Sequence, residues 1–482
     1  MTPIRVTIGL LPSRRAAHTA WTERMRADSL ALLGRLPGVT AVAPAVSKDG
    51  AVDRLSGATP HGTVNTLDEA EAVAAYFRQE GVDALVICPL DFGDERSAVK
   101  VAELLRVPVL LFATKEPPAL QDASMARVSD SYCGTLSISA GLTRRRLPFR
   151  FAGVYLPSDP EMLAEAETFV RAVGVVRALR GARIGQVGVR PVTFETVAYD
   201  EVAMATAFGM NVIPCNLADV VDAAEAIADD DPAVVDLVAG IRASVAEVTV
   251  PASHLVRAAK FELALVAFWE RHGLSALAAQ CWPSIQRMMG ISLCAVYGRM
   301  TARHMLTACE VDVLGAVAML ANYGAALGEG LPHFVDWTIQ HRENPNWLLA
   351  WHCGNAPTCL AADPARTALR SRRDMAGALP IPAEDTMAGL YQFQLRAGAV
   401  TFCRLAEYNG EWKMLIAAGR IVPSDETLAG TWAWVEVRDH ARLYRTLVEE
   451  GFIHHASMIH GDQTRALEEA CRFLGIRPVV VE

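Results

Sequence analysis

The chain has 482 residues, a formal net charge of −9, 52% hydrophobic and 21% charged residues. That length exceeds what one hydrophobic core usually supports, so two or three domains are expected. The acidic balance, with no basic tail and no aromatic-plus-basic stripe, argues against a general nucleic-acid binder, whose affinity comes from Lys and Arg neutralising phosphates. Ten cysteines are scattered without a C-x-x-C pair. They read as reduced, mostly buried thiols of a cytoplasmic protein. The N-terminus runs straight into a strand-like segment without the features of an export signal. The longest apolar stretches, such as residues 311–320, are interrupted by Asp312 and too short to span a bilayer.

Residues 6–11 form a short apolar run, and residues 20–36 show helical periodicity. A helix pattern over 68–80 precedes the buried-strand candidate 84–88, and a helix over 97–105 precedes a strand over 107–113. Continuous apolar strands separated by helices imply a parallel sheet covered on both faces, with sites at the carboxyl ends of its strands. Those ends carry Pro12-Ser13-Arg14, Pro89-Leu90-Asp91-Phe92 and Thr114-Lys115-Glu116-Pro117. A second α/β unit holds strands over 184–189, 211–215 and 276–282 and a strong helix over 252–272. The segment 291–306 reads as a helix that delivers Glu310 just beyond its end. From about residue 331 short β-rich runs appear, at 347–352, 387–396, 399–406, 413–420 and 431–437. Asn409-Gly410 marks a hairpin between two of them. A helix over 464–474 and a strand over 478–481 close the chain. The expected fold is α/β: two Rossmann-like doubly wound domains (1–165 and 166–330), then an antiparallel β-rich domain (331–482).

Glu310 lies among Ala308, Cys309, Val311 and Val313, which suggests burial. A buried carboxylate is costly unless a cation or hydrogen bonds compensate it. Asp312, two residues on, is either a second metal ligand or a partner that orients one. Asp336 stands between Val335 and Trp337, and a helix N-cap is its alternative role. His352 ends an apolar strand near Gly354, and satisfied core burial is the bland reading. Its neighbour Cys353 would point to the opposite face of a strand, so the two make a poor nucleophile–base pair. His454 and His455 would likewise point opposite ways, leaving at most one at a shared site. No phosphate loop, G-x-G-x-x-G, H-E-x-x-H or G-x-S-x-G motif is present.

These segments together resemble the L-fucose isomerase / L-arabinose isomerase superfamily of metal-dependent aldose–ketose isomerases, closer to the fucose branch. The resemblance covers the whole length in order and texture. It is carried by Gln280-Cys281-Trp282-Pro283 with Cys294 and Ala308-Cys309-Glu310-Val311-Asp312-Val313, by His333-Phe334-Val335-Asp336, by Trp351-His352-Cys353-Gly354-Asn355, and by residues 451–455 with Gly461-Asp462. Tyr132-Cys133-Gly134 is a less specific block. The resemblance implies a site with Glu310, Asp336 and His455 as ligands of Mn²⁺ (or Mg²⁺ or Co²⁺). Glu310 and Asp336 double as acid and base around a cation-stabilised enediolate. It selects His455 over His454, and makes His352 a fourth ligand or, with Asn355 and Trp351, a substrate contact. The implied substrate is a sugar of the L-fucose, D-arabinose or L-arabinose kind. The implied assembly is a homo-oligomer, a hexamer or trimer, whose sites are shared between subunits, so that Arg14, Arg96 or Lys115 could reach a neighbour's substrate. Other readings are a sugar-binding protein without catalysis, or an epimerase or decarboxylase on the same scaffold.

Overall fold

The computed structural model describes residues 4–15, 18–116, 128–371 and 388–481. Pro117 and Met387, at the edges of expected segments, lie outside the described residues. The chain divides into two compact units, Pro3–Arg177 and Ala178–Glu482. No helix among the described residues is long and apolar enough to cross a membrane.

The first unit contains β1 (Val6–Ser13), α1 (Ala20–Gly34), β2 (Val39–Val42), α2 (Leu67–Gln79), β3 (Ala84–Pro89), α3 (Glu95–Leu105), β4 (Val109–Ala113), α4 (Ser131–Arg144) and β5 (Phe149–Val154). Its sheet has the order β2-β1-β3-β4-β5 with every pairing parallel. β3 and β4 are buried along their whole length, which is why they read as unbroken apolar runs. Gly134 of the Tyr132-Cys133-Gly134 block opens α4 at a close approach: a Cβ there would lie 1.5 Å from the Phe92 carbonyl oxygen. At the strand ends, Arg14 is buried and bonds Thr63 Oγ1 at 3.3 Å, and Lys115 pairs with Asp159 at 2.5 Å. Arg96 stays exposed beside Asp94.

α5 (Pro160–Leu179) carries the chain into the second unit, and the expected boundary at 165 lies inside this helix. There follow β6 (Arg183–Val187), α6 (Glu201–Phe208), β7 (Asn211–Cys215), α7 (Leu217–Glu225), α8 (Pro232–Ala243), β8 (Glu247–Val248), α9 (Ala252–His272), β9 (Ala276–Ala279), α10 (Ser284–Met289), α11 (Cys294–Ala302), β10 (Thr307–Cys309) and α12 (Val313–Ala325). β10, β9, β6 and β7 form a second parallel sheet in that order. The helix expected over 291–306 is only α11. His304 adopts φ 61°, which breaks the helix, and Thr307–Cys309 joins the sheet instead. Glu310 is therefore delivered by the end of a strand.

The rest of the chain supplies β11 (His333–Gln340), β12 (Trp347–His352), β13 (Ala368–Ser371), β14 (Ala388–Gln394), β15 (Gly398–Tyr408), β16 (Glu411–Val422), β17 (Thr431–Glu436), α13 (His440–Glu449), β18 (His455–His460), α14 (Thr464–Leu474) and β19 (Arg477–Val481). Six of these strands close on themselves. β15 pairs β16, β16 pairs β17, β17 pairs β12, β12 pairs β11, β11 pairs β18 and β18 returns to β15, all antiparallel. Ala350, Ala417, Ala433 and Ala456 are buried in this core with Val335, Phe402 and Val435, small residues suiting a narrow barrel. Asn409 and Gly410 take φ 56° and 84° in the β15–β16 hairpin, the conformation that their sequence predicts.

The complete sheet is mixed rather than antiparallel throughout. β19 adds parallel to β16 after the α14 crossover, and β14 lies parallel to β17. α12 packs against β9 and β10 on one side and β15 and β18 on the other. Every one of its residues is buried, so its sequence is apolar all round instead of amphipathic.

Candidate active site

Three parts of the second unit converge at the start of α12. The first is the turn after β10. Glu310 and Val311 have φ 61° and 57°, two consecutive left-handed residues without glycine. For a β-branched valine this conformation costs on the order of 1–3 kcal/mol, and such strain is held only where surrounding structure enforces it. Here Val311 N–H donates to Ala279 O at 3.3 Å, and Asp312 caps α12 by accepting from Gly315 N–H at 2.8 Å. The second part is the adjacent barrel strands β11 and β18, where Asp336 and His455 are directly paired. Asp336 is thus a mid-strand residue, not a helix N-cap. Its partner on the other side is Trp351 of β12. The third part is the end of β12, which carries His352.

The Glu310, Asp312 and His455 side chains form a chain of contacts. His455 Nδ1 lies 2.8 Å from Asp312 Oδ2, and its Nε2 lies 2.8 Å from Glu310 Oε2 and 3.7 Å from Asp336 Oδ1. Trp282 Nε1–H donates to the other Glu310 oxygen at 2.8 Å. Asp312 Oδ2 also meets Arg404 of β15, and both side chains are buried, at 0% and 3% exposure. The oxygens of Asp312 are thereby committed to the helix cap, the imidazole and the guanidinium. Asp312 thereby holds His455 through Nδ1, the kind of contact by which a carboxylate fixes a histidine's tautomer.

Several polar atoms around this point are left over. His455 Nε2, His352 Nε2 and Asp336 Oδ1 are buried and lack a hydrogen-bond partner. The close approach of His455 Nε2 to Glu310 has the distance but not the geometry of a hydrogen bond. Buried polar atoms are rarely left unmatched, and a set of carboxylate oxygens and imidazole nitrogens converging without partners fits a divalent cation. The donor set of Glu310, Asp336 and His455 therefore suits such an ion.

The resemblance favours His455 over His454, and strand alternation allows at most one of them at a shared site. His454 precedes β18 rather than lying in it, and the two rings are 4.1 Å apart. Ligand atoms of Glu310, His454 and His455 all lie within 4.8 Å of one another. His454 is solvent-exposed, while Phe194 packs edge-on to it at 5.3 Å and against Trp282 at 5.5 Å. Trp351 Nε1–H is used by Ala429 O at 2.7 Å, and Asn355 Oδ1 lies 3.1 Å from His333 Nε2. These two residues support the His352 strand end. His352 Nδ1 accepts from the Cys353 backbone N–H at 2.9 Å. Arg404 and Phe194 are not singled out by the sequence, and Trp282 stands there only within the Gln280-Cys281-Trp282-Pro283 block. A charge between Cys403 and Leu405 in an apolar strand was the available signal for Arg404.

The environment separates the two carboxylates. Burial would raise Glu310, but His455 outweighs it and holds the group down to about 2. Burial dominates at Asp336 and pushes it up. His455 is lifted to about 10 against the effect of burial, by Asp312 and Glu310, and His352 to about 9, chiefly by Asp336. The two carboxylates are thereby driven apart, Glu310 downward and Asp336 upward.

His333 behaves oppositely. Burial pushes it down to about 3, so it is neutral in the folded protein. An unfolded histidine titrates near 6.5, so below that pH the unfolded chain binds the extra proton and stability falls as pH drops. Between pH 7 and pH 5 the loss from this one group is about 2 kcal/mol. Urea unfolding in chelator at both pH values should show a smaller decline for His333→Gln than for wild type, and equal declines would contradict the assignment.

The matched family descriptions agree with this architecture. Residues 40–180 match "Fucose/sulfoquinovose isomerase, N-terminal domain", and residues 350–481 match "L-fucose isomerase, C-terminal domain". Together they span more than half of the chain, which belongs to the fucose isomerase family of aldose–ketose isomerases. A sulfoquinovose isomerase from Alkalicoccus urumqiensis is 25% identical over 405 residues, covering 83% of this chain and 86% of that one. A sulfoquinovose isomerase from Priestia aryabhattai is 25% identical over 426 residues, covering 87% and 90%. Among solved structures, a periplasmic solute-binding protein from Actinobacillus succinogenes with bound D-allose aligns at 10% identity over 67% of this chain and 93% of that one. Its TM-score is 0.18, which carries no structural likeness.

Proposed function

We propose that this protein interconverts an aldose and its 2-ketose at a divalent-metal centre formed by Glu310, Asp336 and His455, with sulfoquinovose as the leading substrate. The observation that carries the metal is the convergence of unpartnered buried donors, Asp336 Oδ1, His455 Nε2 and His352 Nε2, beside the Glu310 carboxylate. The substrate is taken from the names of the two relatives, and replaces the fucose- or arabinose-like sugar as the first to test.

When bound, a cation such as Mn²⁺ supplies Lewis acidity toward the substrate oxygens. The protein's own groups do the proton work. Glu310, ionised and held in place by the Trp282 N–H, serves as base toward the proton that moves between C1 and C2. Asp336, the second carboxylate, serves on the other side of the transfer. Asp312 and Arg404 position His455 without touching substrate. His352 Nε2 is a fourth ligand or the contact for a substrate hydroxyl. The rings of Phe194 and Phe334, 5.9 and 4.8 Å from the His455 ring, exclude water around the imidazole.

The test is ketose formation from sulfoquinovose and, separately, L-fucose, after exhaustive dialysis against a chelator. Activity should be lost and return on adding Mn²⁺. Full turnover in the continued presence of chelator would overturn the metal reading.

A further inference from the structure

Two strands from β10, the chain leaving β6 forms a cavity that the site residues do not use. Its volume is about 140 Å³, and it is lined by Gln186, Val189, Arg190, Val197, Tyr199 and Val311 among others. Val311 follows Glu310 directly, so the cavity adjoins the turn that delivers the carboxylate. Phe194, four residues beyond Arg190, lies against Trp282, His454 and His455, so the same loop borders both places.

Most polar groups of the cavity are already engaged with one another. Tyr199 OH donates to Gln186 Oε1, and Gln186 Nε2–H donates to Gly188 O at 3.1 Å. Val189 N–H donates to Gln280 Oε1 at 3.3 Å. Arg190 differs. It is exposed, and among the described residues no hydrogen bond or ion pair engages it. A planar guanidinium with free donors at the edge of a cavity is suited to a tetrahedral oxyanion, which it grips through paired hydrogen bonds.

The spacing fits as well. β10 and β6 are separated only by β9, two strand intervals of about 4.8 Å each. That is roughly the reach of an extended six-carbon chain with C–C bonds of ~1.5 Å and a terminal group met by a long side chain. Val311, the residue after Glu310, lines the same cavity as Arg190, so a sugar held at Glu310 has this cavity beside it.

We infer that Arg190 and this cavity form the subsite that recognises the anionic terminus of the sugar, a sulfonate on C6, and so decide selectivity between charged and neutral aldoses. The inference rests on the proposed sugar-isomerase reading of the adjoining site. A phosphate at C6 shares the tetrahedral charge, so glucose 6-phosphate is the comparison that separates the two oxyanions.

The experiment measures kcat and KM for sulfoquinovose, glucose 6-phosphate and neutral 6-deoxyglucose, with wild type, Arg190→Met and Arg190→Lys, in saturating Mn²⁺. The ratio of kcat/KM for sulfoquinovose over 6-deoxyglucose should fall about 10- to 100-fold in Arg190→Met, the range of a lost charged hydrogen bond. The loss should sit in KM, because the interaction lies far from the reacting carbons, and Arg190→Lys should recover part of it. An unchanged ratio in Arg190→Met, while wild type converts sulfoquinovose, overturns the inference and leaves the proposed function standing. Preference of wild type for glucose 6-phosphate over sulfoquinovose overturns the sulfonate assignment. Failure of wild type to convert sulfoquinovose overturns the substrate reading, and this inference with it.

Discussion

Glu310→Gln lowers ketose formation by about 10³-fold or more, even in saturating Mn²⁺. The substitution keeps the volume and the oxygen that accepts from Trp282 N–H, but removes the charge and the basic lone pair. General-base removal alone typically costs 10²- to 10⁴-fold. Glu310 is also one of the donors of the proposed metal centre, with His455 at 2.8 Å, so the loss of its charge should weaken Mn²⁺ binding as well. Electron paramagnetic resonance titration of Mn²⁺ separates the two effects. The expected result is weaker binding together with slow turnover at full occupancy. Undiminished turnover would remove Glu310 from the acid/base work.

Asp312→Asn has the largest expected effect on stability, about 3–5 kcal/mol, because it leaves the Arg404 guanidinium buried beside a neutral amide. It also loosens His455, whose Nδ1 meets Asp312 Oδ2 at 2.8 Å, and Mn²⁺ affinity should fall about 10- to 100-fold, as when other orienting partners of ligand histidines are removed. Pairing it with Arg404→Met distinguishes the two roles. The double variant should regain most of the stability, since no unpaired charge remains, but not the metal affinity. Denaturant unfolding and Mn²⁺ titration read the two quantities. A single variant as stable as wild type would contradict the buried ion pair.

The separate behaviour of these two carboxylates shows what local sequence can and cannot convey. Glu310 and Asp312 stand two residues apart in the same apolar run. Composition marks both as costly to bury, but not which one faces a ligand. The difference is set by partners 92 and 143 residues further on, Arg404 and His455, which occupy Asp312. Likewise, alternation in a strand argued that at most one of His454 and His455 faces a shared site. The strand begins only at His455, and although His454 is exposed and His455 buried, ligand atoms of both lie within 4.8 Å of a Glu310 oxygen.

By itself, the sequence determined the kinds of element and much of their order. Period, burial and turn chemistry are local, so the apolar runs of β3 and β4, the Asn409-Gly410 hairpin, and the closing helix and strand α14 and β19 were all legible. So were Glu310, Asp336 and His352, because each is a polar group costly to bury in apolar surroundings. Only the tertiary structure decided that six strands close into a barrel, that a short strand rather than a helix presents Glu310, and that Arg190 stands at the rim of a cavity beside Val311. Those outcomes depend on pairing between distant segments, whose free energy comes from contacts no single stretch of sequence contains.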